Sequence, residues 1–323
     1  MTKVERPKTM PKPTIRGYQP EDEAGLLSVW NAALFADPIS ATTWRAKVLL
    51  DPNFDREGCL VAEVDGEVRG FLLSLVRRVP FFGQGYEPEQ AWITAFGVAP
   101  GWEGRGLGSA LLDATLERLQ GLGKTSVALS PYVPNYFTPG ADANAYARGI
   151  EFLTKRDFEV IERPISMRAE LTGFRIPDEI QERAAALRNE GIEIRPATPA
   201  DIVPVLDFIP RHFTWDWHRE ASGVFNDLFA GDPRFVGMMV AMQDGEVLGY
   251  AEHRGERFGP FGVHTGLRSR GIGRVLLAHT LHEMLKKNFH AAWFLWTGDD
   301  AARLYSQVGF HEVRRFAVLK KQL

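Results

Sequence analysis

Apolar and polar positions run along this chain in two series of the same kind. Each series opens on a short alternating stretch, Thr14–Gly17 in the first and Glu193–Arg195 in the second, which predicts a strand. One or two amphipathic helices follow. Alternating apolar runs then flank Asp65-Gly66 and Asp244-Gly245, and Asp-Gly between such runs predicts a hairpin. The next strand ends at Val98 or Val263. A glycine-rich loop comes after it, then helical periodicity over Leu107–Gln120 or Ile272–Lys287. Another strand (Ser126–Leu129; Ala292–Trp296), a last helix and a closing strand complete each series. Strands in succession followed by strand–helix–strand predict an α/β fold, with a mixed, mostly antiparallel sheet flanked by helices in each half.

The two series also match residue by residue. Ile15-Arg16 and Ile194-Arg195 lie 179 apart, as do Asp65-Gly66-Glu67-Val68 and Asp244-Gly245-Glu246-Val247. Phe96-Gly97-Val98 and Phe261-Gly262-Val263 lie 165 apart, and so do Arg105-Gly106-Leu107-Gly108 and Arg270-Gly271-Ile272-Gly273. Ordered matches with one change of offset mean two copies of a domain, not a short-period array. Between them, Pro177 suits a helix's first turn, Asp178 and Glu179 its positive end, and Gly191 its stop. The expected layout is a flexible segment 1–13, domain one over 14–172, a linker helix over 173–191 and domain two over 192–323.

The loop before each long helix carries the chemistry. Glycines at a helix start leave first-turn amides open to an anion, and an arginine on each side of Ser269 adds positive charge. Two phosphate motifs fail. Gly123-Lys124-Thr125 lacks the first glycine of a P-loop, with Arg118 in its place, and follows a helix instead of opening one. A dinucleotide fingerprint needs third glycines where Leu111 and Leu276 stand.

Val263 followed by Arg268-Ser269-Arg270-Gly271-Ile272-Gly273 resembles the R/Q-x-x-G-x-G/A signature of the GNAT superfamily of acyl-CoA N-acyltransferases. Leu304-Tyr305-Ser306-Gln307-Val308-Gly309-Phe310 resembles the end of that family's last helix. The resemblance spans nearly the whole chain, once per half. It implies two tandem GNAT-like domains and an acetyl-CoA-dependent N-acetyltransferase acting on an amine acceptor. It places the pyrophosphate of acetyl-CoA on Val263, Arg268, Ser269, Arg270, Gly271, Ile272 and Gly273, and a donor amide for the thioester carbonyl near Val263. Tyr305 would protonate the leaving thiolate; Glu252 and His253, at the end of the third strand, are candidates for the base. The matching loop of domain one comprises Val98, Gly104, Arg105, Gly106, Leu107 and Gly108, but Glu103 replaces the family's Arg or Gln. Leu153 stands where domain two has Tyr305, Asp157 stands where it has Gly309, and residues 130–149 form an insertion. Domain one is therefore expected to be catalytically inactive, with cofactor binding there left open. Trp215 and Trp217 fall where the family shapes its acceptor pocket.

Composition changes this picture little. Hydrophobic residues make up 45%, charged residues 24%, and the net charge is −3, which fits a globular protein and argues against a nucleic-acid partner. Cys59 alone offers neither a disulfide nor a thiolate metal site, and a reducing, cytoplasmic setting is expected. No run is long enough to cross a membrane. All eight histidines lie in the second half without ligand spacing, so no metal is expected. A non-catalytic acyl-CoA sensor and an aminoacyl-transferase of related fold are the rival functions. Monomer and homodimer are equally compatible with the sequence.

Overall fold

The computed structural model describes residues 13–323, so most of the expected flexible segment 1–13 lies outside the described residues. The chain divides into two compact units: unit 1 holds the residues up to Phe81, Gly85–Glu162 and Ala317–Leu323, and unit 2 holds Phe82–Gln84 and Arg163–Phe316.

In unit 1 the elements run β1 (Thr14–Gly17), α1 (Glu23–Ala33), α2 (Ala41–Trp44), β2 (Cys59–Val64), β3 (Glu67–Leu75), β4 (Gln90–Val98), α3 (Leu107–Gly121), β5 (Ser126–Leu129), β6 (Ala141–Asp142), α4 (Ala147–Thr154) and β7 (Glu159–Glu162). Strands β1 to β4 pair antiparallel in order, and β4 pairs parallel with β5. The Asp65-Gly66 turn takes both residues to positive φ, as a two-residue hairpin requires. Leu107, Leu111, Leu112 and Leu119 recur at helical spacing and bury α3 against one face of this sheet. Trp30 and Trp44 from α1 and α2 bury the other.

In unit 2 the elements run β8 (Ile165–Glu170), α5 (Asp178–Asn189), β9 (Glu193–Pro196), α6 (Ile202–His212), α7 (Trp215–Phe229), β10 (Val236–Gln243), β11 (Glu246–Arg254), β12 (Arg257–Val263), α8 (Ile272–Lys286), β13 (Ala291–Thr297), α9 (Asp299–Ser306) and β14 (His311–Gln322). Strands β9 to β12 pair antiparallel in order; β12 meets β13 in parallel at one pair, Arg257↔Trp293, and then splays away. Helix α8 covers one face with Val275, Leu276 and Leu281. Helices α6 and α7 cover the other with Val205, Phe208, Ile209, Val224 and Phe225.

The closing strands depart from the expected layout. Strand β8 falls inside the span expected for domain one, yet it pairs with β13 of unit 2; the end of β14 pairs with β5 and β7 of unit 1. The register explains how. Leu319↔Leu129, Lys320↔Ala128, Lys321↔Val127 and Gln322↔Ser126 in unit 1 repeat Met167↔Phe294, Arg168↔Trp293, Ala169↔Ala292 and Glu170↔Ala291 in unit 2. The two strands meet their partners at matching positions, with Met167 and Leu319 both buried. Unit 2 therefore begins at Arg163 instead of Ile192 and takes in the linker helix α5.

Candidate active site

In unit 2 the glycine loop sits where the sequence placed it, between β12 and α8. Gly271 caps α8 from the left-handed region (φ 79°), and no side chain caps that end. The first-turn amides are thus left for a ligand, the arrangement a pyrophosphate needs. Ser269 is also held at positive φ (68°), where the repeat in unit 1 has Gly104 (φ 71°). A serine in that conformation carries strain that the surrounding loop must hold. Ile272 is buried and anchors the helix start, while Gly273 faces Phe261 and Val263. Arg183 of α5 donates to the carbonyl of Arg270 (2.8 Å), and Glu190 pairs with both Arg183 (2.9 Å) and Arg270 (2.6 Å). Arg274 pairs with Glu179. Arg270 of the loop and Arg274 of α8 are thus tied to α5 and the residue that follows it, a connection the sequence did not signal. Arg268 is exposed.

The floor of the site is the splayed strand. Ala251 faces Phe261 and His253 faces Phe258, so three steps along β12 match two along β11. The extra residue makes a bulge at Gly259-Pro260, directly opposite Glu252. Because of it, Phe258 and Phe261 both reach the α8 side, where they pack around Tyr305 of α9 (ring centroids 6.1 and 6.0 Å) together with Phe294 (4.5 Å) and Phe310 (5.5 Å). Burial raises the Tyr305 phenol above its ordinary pKa of 10.

Strand alternation separates the two base candidates. Tyr250 and Glu252 face α6 and α7; both are buried, and Glu252 Oε2 has no hydrogen-bond partner. Burial first, then the nearby Glu220 carboxylate, push its pKa well above the usual value. His253 points to the other face, beside Phe289 (5.6 Å), with Nδ1 3.1 Å from the Gly255 carbonyl. Burial holds it down to about 4. The structure therefore does not bring His253 together with Glu252.

The tryptophans part as well. Trp217 stacks on Phe213 (4.7 Å, 21°) next to Tyr250, whereas Trp215 stands beside His218 (5.3 Å). The tip of the Phe213 ring abuts Gly262, whose added Cβ would come 2.3 Å from Cζ. The repeat pairs Gly262 with Gly97, but the ring that makes glycine necessary at 262 was not legible in the sequence.

Unit 1 keeps the loop and loses the rest. Gly104 (φ 71°) and Gly106 (φ 87°) have open space on their Cβ side, Leu107 is buried, and Gly108 faces Phe96 and Val98 as Gly273 faces Phe261 and Val263. Arg105 lies over the Trp102 ring (4.9 Å), and Glu103 accepts from the Gly101 amide (2.7 Å). At the repeat offset of 179, Tyr250 and Glu252 become Phe71 and Leu73, both fully buried. Phe71 stacks on Trp30 (5.2 Å, 10°), and the insertion adds Phe137 against the same ring (4.8 Å). Tyr132 of the insertion donates to Asp51 (3.0 Å), and Asn135 donates to it as well (2.7 Å). Buried Arg77, paired with Glu87, lies over the rings of Phe81, Trp92 and Tyr132. The face of unit 1 that corresponds to Tyr250 and Glu252 is filled by the chain itself.

Two copies of a glycine-capped helix behind a bulged, splayed strand find their match among known proteins. The profile of the acetyltransferase (GNAT) family matches residues 27–138 and 202–310. The chain belongs to that family, and it carries two GNAT domains. Among curated relatives, the mycothiol acetyltransferase of Stackebrandtia nassauensis is 40% identical over 123 residues, covering 36% of this chain and 38% of that one. The alignment thus spans well under half of that relative's length. Among solved structures, a GCN5-related glucosamine N-acetyltransferase region of a fungal multi-domain GH3 β-N-acetylglucosaminidase superposes with a TM-score of 0.77 at 19% identity, over 98% of this chain and 39% of that one. A tandem GNAT protein from the clavulanic acid biosynthesis pathway gives 0.62 at 15%, over 96% and 98%. These likenesses show the fold.

A surface cavity of about 460 Å³ lies between α5 and α8, lined by Arg175, Gln181, Arg188, His279 and His282 among others, apart from the glycine loop. Among the described residues no group of three His, Cys, Asp or Glu is placed to hold a metal ion, and no helix is long and apolar enough to cross a membrane.

Proposed function

We propose that this chain transfers the acetyl group of acetyl-CoA to a primary amine, and that unit 2 is the half that does so. One observation carries the choice of half: unit 2 has a glycine-capped loop, a buried tyrosine and an unpaired carboxyl around one splayed strand, while unit 1 has the loop with leucines at the other two positions.

In this reading the amides of Gly271, Ile272 and Gly273 take the pyrophosphate, and Arg270 and Arg268 add charge. The thioester lies along the splayed part of β12, with its carbonyl oxygen on an amide near Val263 as negative charge develops. Glu252 receives the amine's proton. Burial raises its pKa, which makes it a stronger base toward that proton than a carboxylate in water. Tyr305 gives its proton to the thiolate. Its own pKa is raised, so it is a weak acid and stays protonated at any physiological pH. The mycothiol acetyltransferase likeness favours a small-molecule acceptor over a protein. The test is acetyl-CoA affinity by calorimetry in Gly271→Val. A β-branched residue at φ 79° would block the loop, and Arg183 lies within 3.0 Å of its Cβ. Binding at the parent's affinity would remove the loop from the site.

A further inference from the structure

The linker helix α5 does more than join the two repeats. Ile180 and Leu187 bury it in the core beside α8. Glu179 and Arg183, with Glu190 just past its end, tie it to the glycine loop and to α8. A third face carries Gln181, Ala184, Ala185 and Arg188, which recur at helical spacing. That face borders the cavity of about 460 Å³, opposite His279 and His282 of α8.

The cavity has an imbalance of charge. Its wall holds two guanidiniums, Arg175 and Arg188, and two imidazoles, and no carboxylate lines it. The arginines nearby are matched: Arg183 and Arg270 pair with Glu190, and Arg274 pairs with Glu179. Arg175 and Arg188 form no ion pair among the described residues. Asp178 is only a distant acceptor for Gln181 (3.5 Å), and Glu283 is taken by Lys286 (2.8 Å). His282 Nδ1 is buried and has no hydrogen-bond partner. Ile176, Ala184 and Ala185 make the apolar part of the wall, and the two alanines leave the room that longer side chains would fill.

Such a wall suits an anion with an apolar body. Guanidiniums present paired N–H donors that match a carboxylate or phosphate, and imidazolium adds more. A neutral ligand leaves that charge unmatched, and a metal cation is repelled by it. The volume is in the range of small-molecule sites. We infer that the cleft between α5 and α8 binds a small organic anion, with its carboxylate or phosphate group on Arg175, Arg188 and the two imidazoles and its apolar body against Ile176, Ala184 and Ala185. The site lies apart from the glycine loop and does not depend on which half is catalytic. Binding there takes up protons. Burial lowers the pKa of His279; repulsion from His282, Lys286 and Arg188 lowers it further, and Glu283 acts the other way. A bound anion favours the imidazolium, so affinity rises as pH falls.

The probes are benzoate and phenyl phosphate, with uncharged benzyl alcohol as control. Binding to the full chain is followed by ligand-observed NMR, and the histidine ring signals report where the probe sits. At least one anion is expected to bind about tenfold or more tighter than benzyl alcohol, and the tighter of the two tells phosphate from carboxylate. Its affinity should rise several-fold from about pH 8 to about pH 6, with the His279 signal moving on binding. Arg188→Gln should cost the anion about tenfold and leave benzyl alcohol unchanged. Ala185→Leu places a good helix former at an exposed position and should block all three probes. Thermal melts of both variants separate lost binding from lost folding. Equal binding of anions and benzyl alcohol by the parent, or parent-like anion affinity in both variants, would overturn the inference. Anion binding lost in Gly271→Val but kept in both cleft variants would place the anion on the glycine loop and overturn it as well.

Discussion

Tyr305 sits among four phenylalanines with only burial acting on its pKa, so its proton is held more firmly than that of a phenol in water. As a proton donor it gains less than a well-matched acid would. Tyr305→Phe is expected to slow the chemical step by about ten- to a hundredfold, the low end for one positioned acid, while acetyl-CoA binds as before. Single-turnover measurement reads the step without interference from product release. Parent-like rates would make the ring packing alone. Glu252 has the larger part, and Glu252→Gln should cost about a hundredfold or more in kcat/KM. It also carries a stability signature. Its folded pKa lies above the ordinary 4.5, so the folded state keeps a proton that the unfolded chain loses. Stability is therefore full below pH 4.5 and falls as pH rises toward the folded pKa. Glu252→Gln stays neutral, so its melting temperature should exceed the parent's by a margin that widens from acid to neutral pH. His253 behaves oppositely. It is held down to about 4 from 6.5, so its contribution is present above 6.5 and lost as pH falls toward 4, by roughly 3 kcal/mol in all. His253→Asn should flatten that acid limb of the stability curve without moving the acid limb of activity. The alternation that parts these two neighbours follows from β11 pairing regularly with β10 from Gly249 to Arg254. The sequence placed both at its end without saying which face was the active one, because that depends on where α6, α7 and α8 pack.

At the level of elements, the loop and the helix behind it were fully legible. Glycine at a helix start with no capping side chain is a local signal, and both Gly106 and Gly271 adopt the left-handed conformation it demands. The bulge in β12 and the tie from Arg183 to the loop were not, since each depends on a partner far away in sequence. The exchanged closing strands were hidden for a different reason. Residues 165–170 and 317–322 carry the same pattern, so either copy satisfies either sheet, and pattern alone cannot choose. The exchange makes a strong prediction. Removing residues 317–323 strips β5 of one of its two neighbours and β7 of its partner, and takes buried Ala317, Val318 and Leu319 from unit 1. Hydrogen exchange at Ser126–Leu129 should rise by orders of magnitude, while β10 and β11 keep their protection. Unchanged protection of β5 would mean that β8 can take over the slot. For the same reason a fragment ending near residue 175 lacks the strand that completes unit 1 and is no test of that half.

For the molecule as a whole, duplication has left two domains with one loop design and different faces. The insertion, Trp30, Phe71 and Leu73 turn the face of unit 1 that corresponds to Tyr250 and Glu252 into packed core. The same side of unit 2 keeps an unpaired carboxyl and an unpaired phenol. The replacement of Tyr305 by Leu153 pointed to this division, but the filling of the face did not show in the sequence, because aromatic residues there read equally well as pocket or core. The most direct test compares two valines in the full chain, Gly271→Val and Gly106→Val, each at a positive-φ helix cap. Acetyl transfer is measured in single turnover against an alkylamine, an amino sugar and an amino acid. The account predicts that Gly271→Val loses transfer to every acceptor the parent uses, and that Gly106→Val retains it within about twofold. Loss in Gly106→Val with transfer kept in Gly271→Val would place the chemistry in unit 1 and contradict the account.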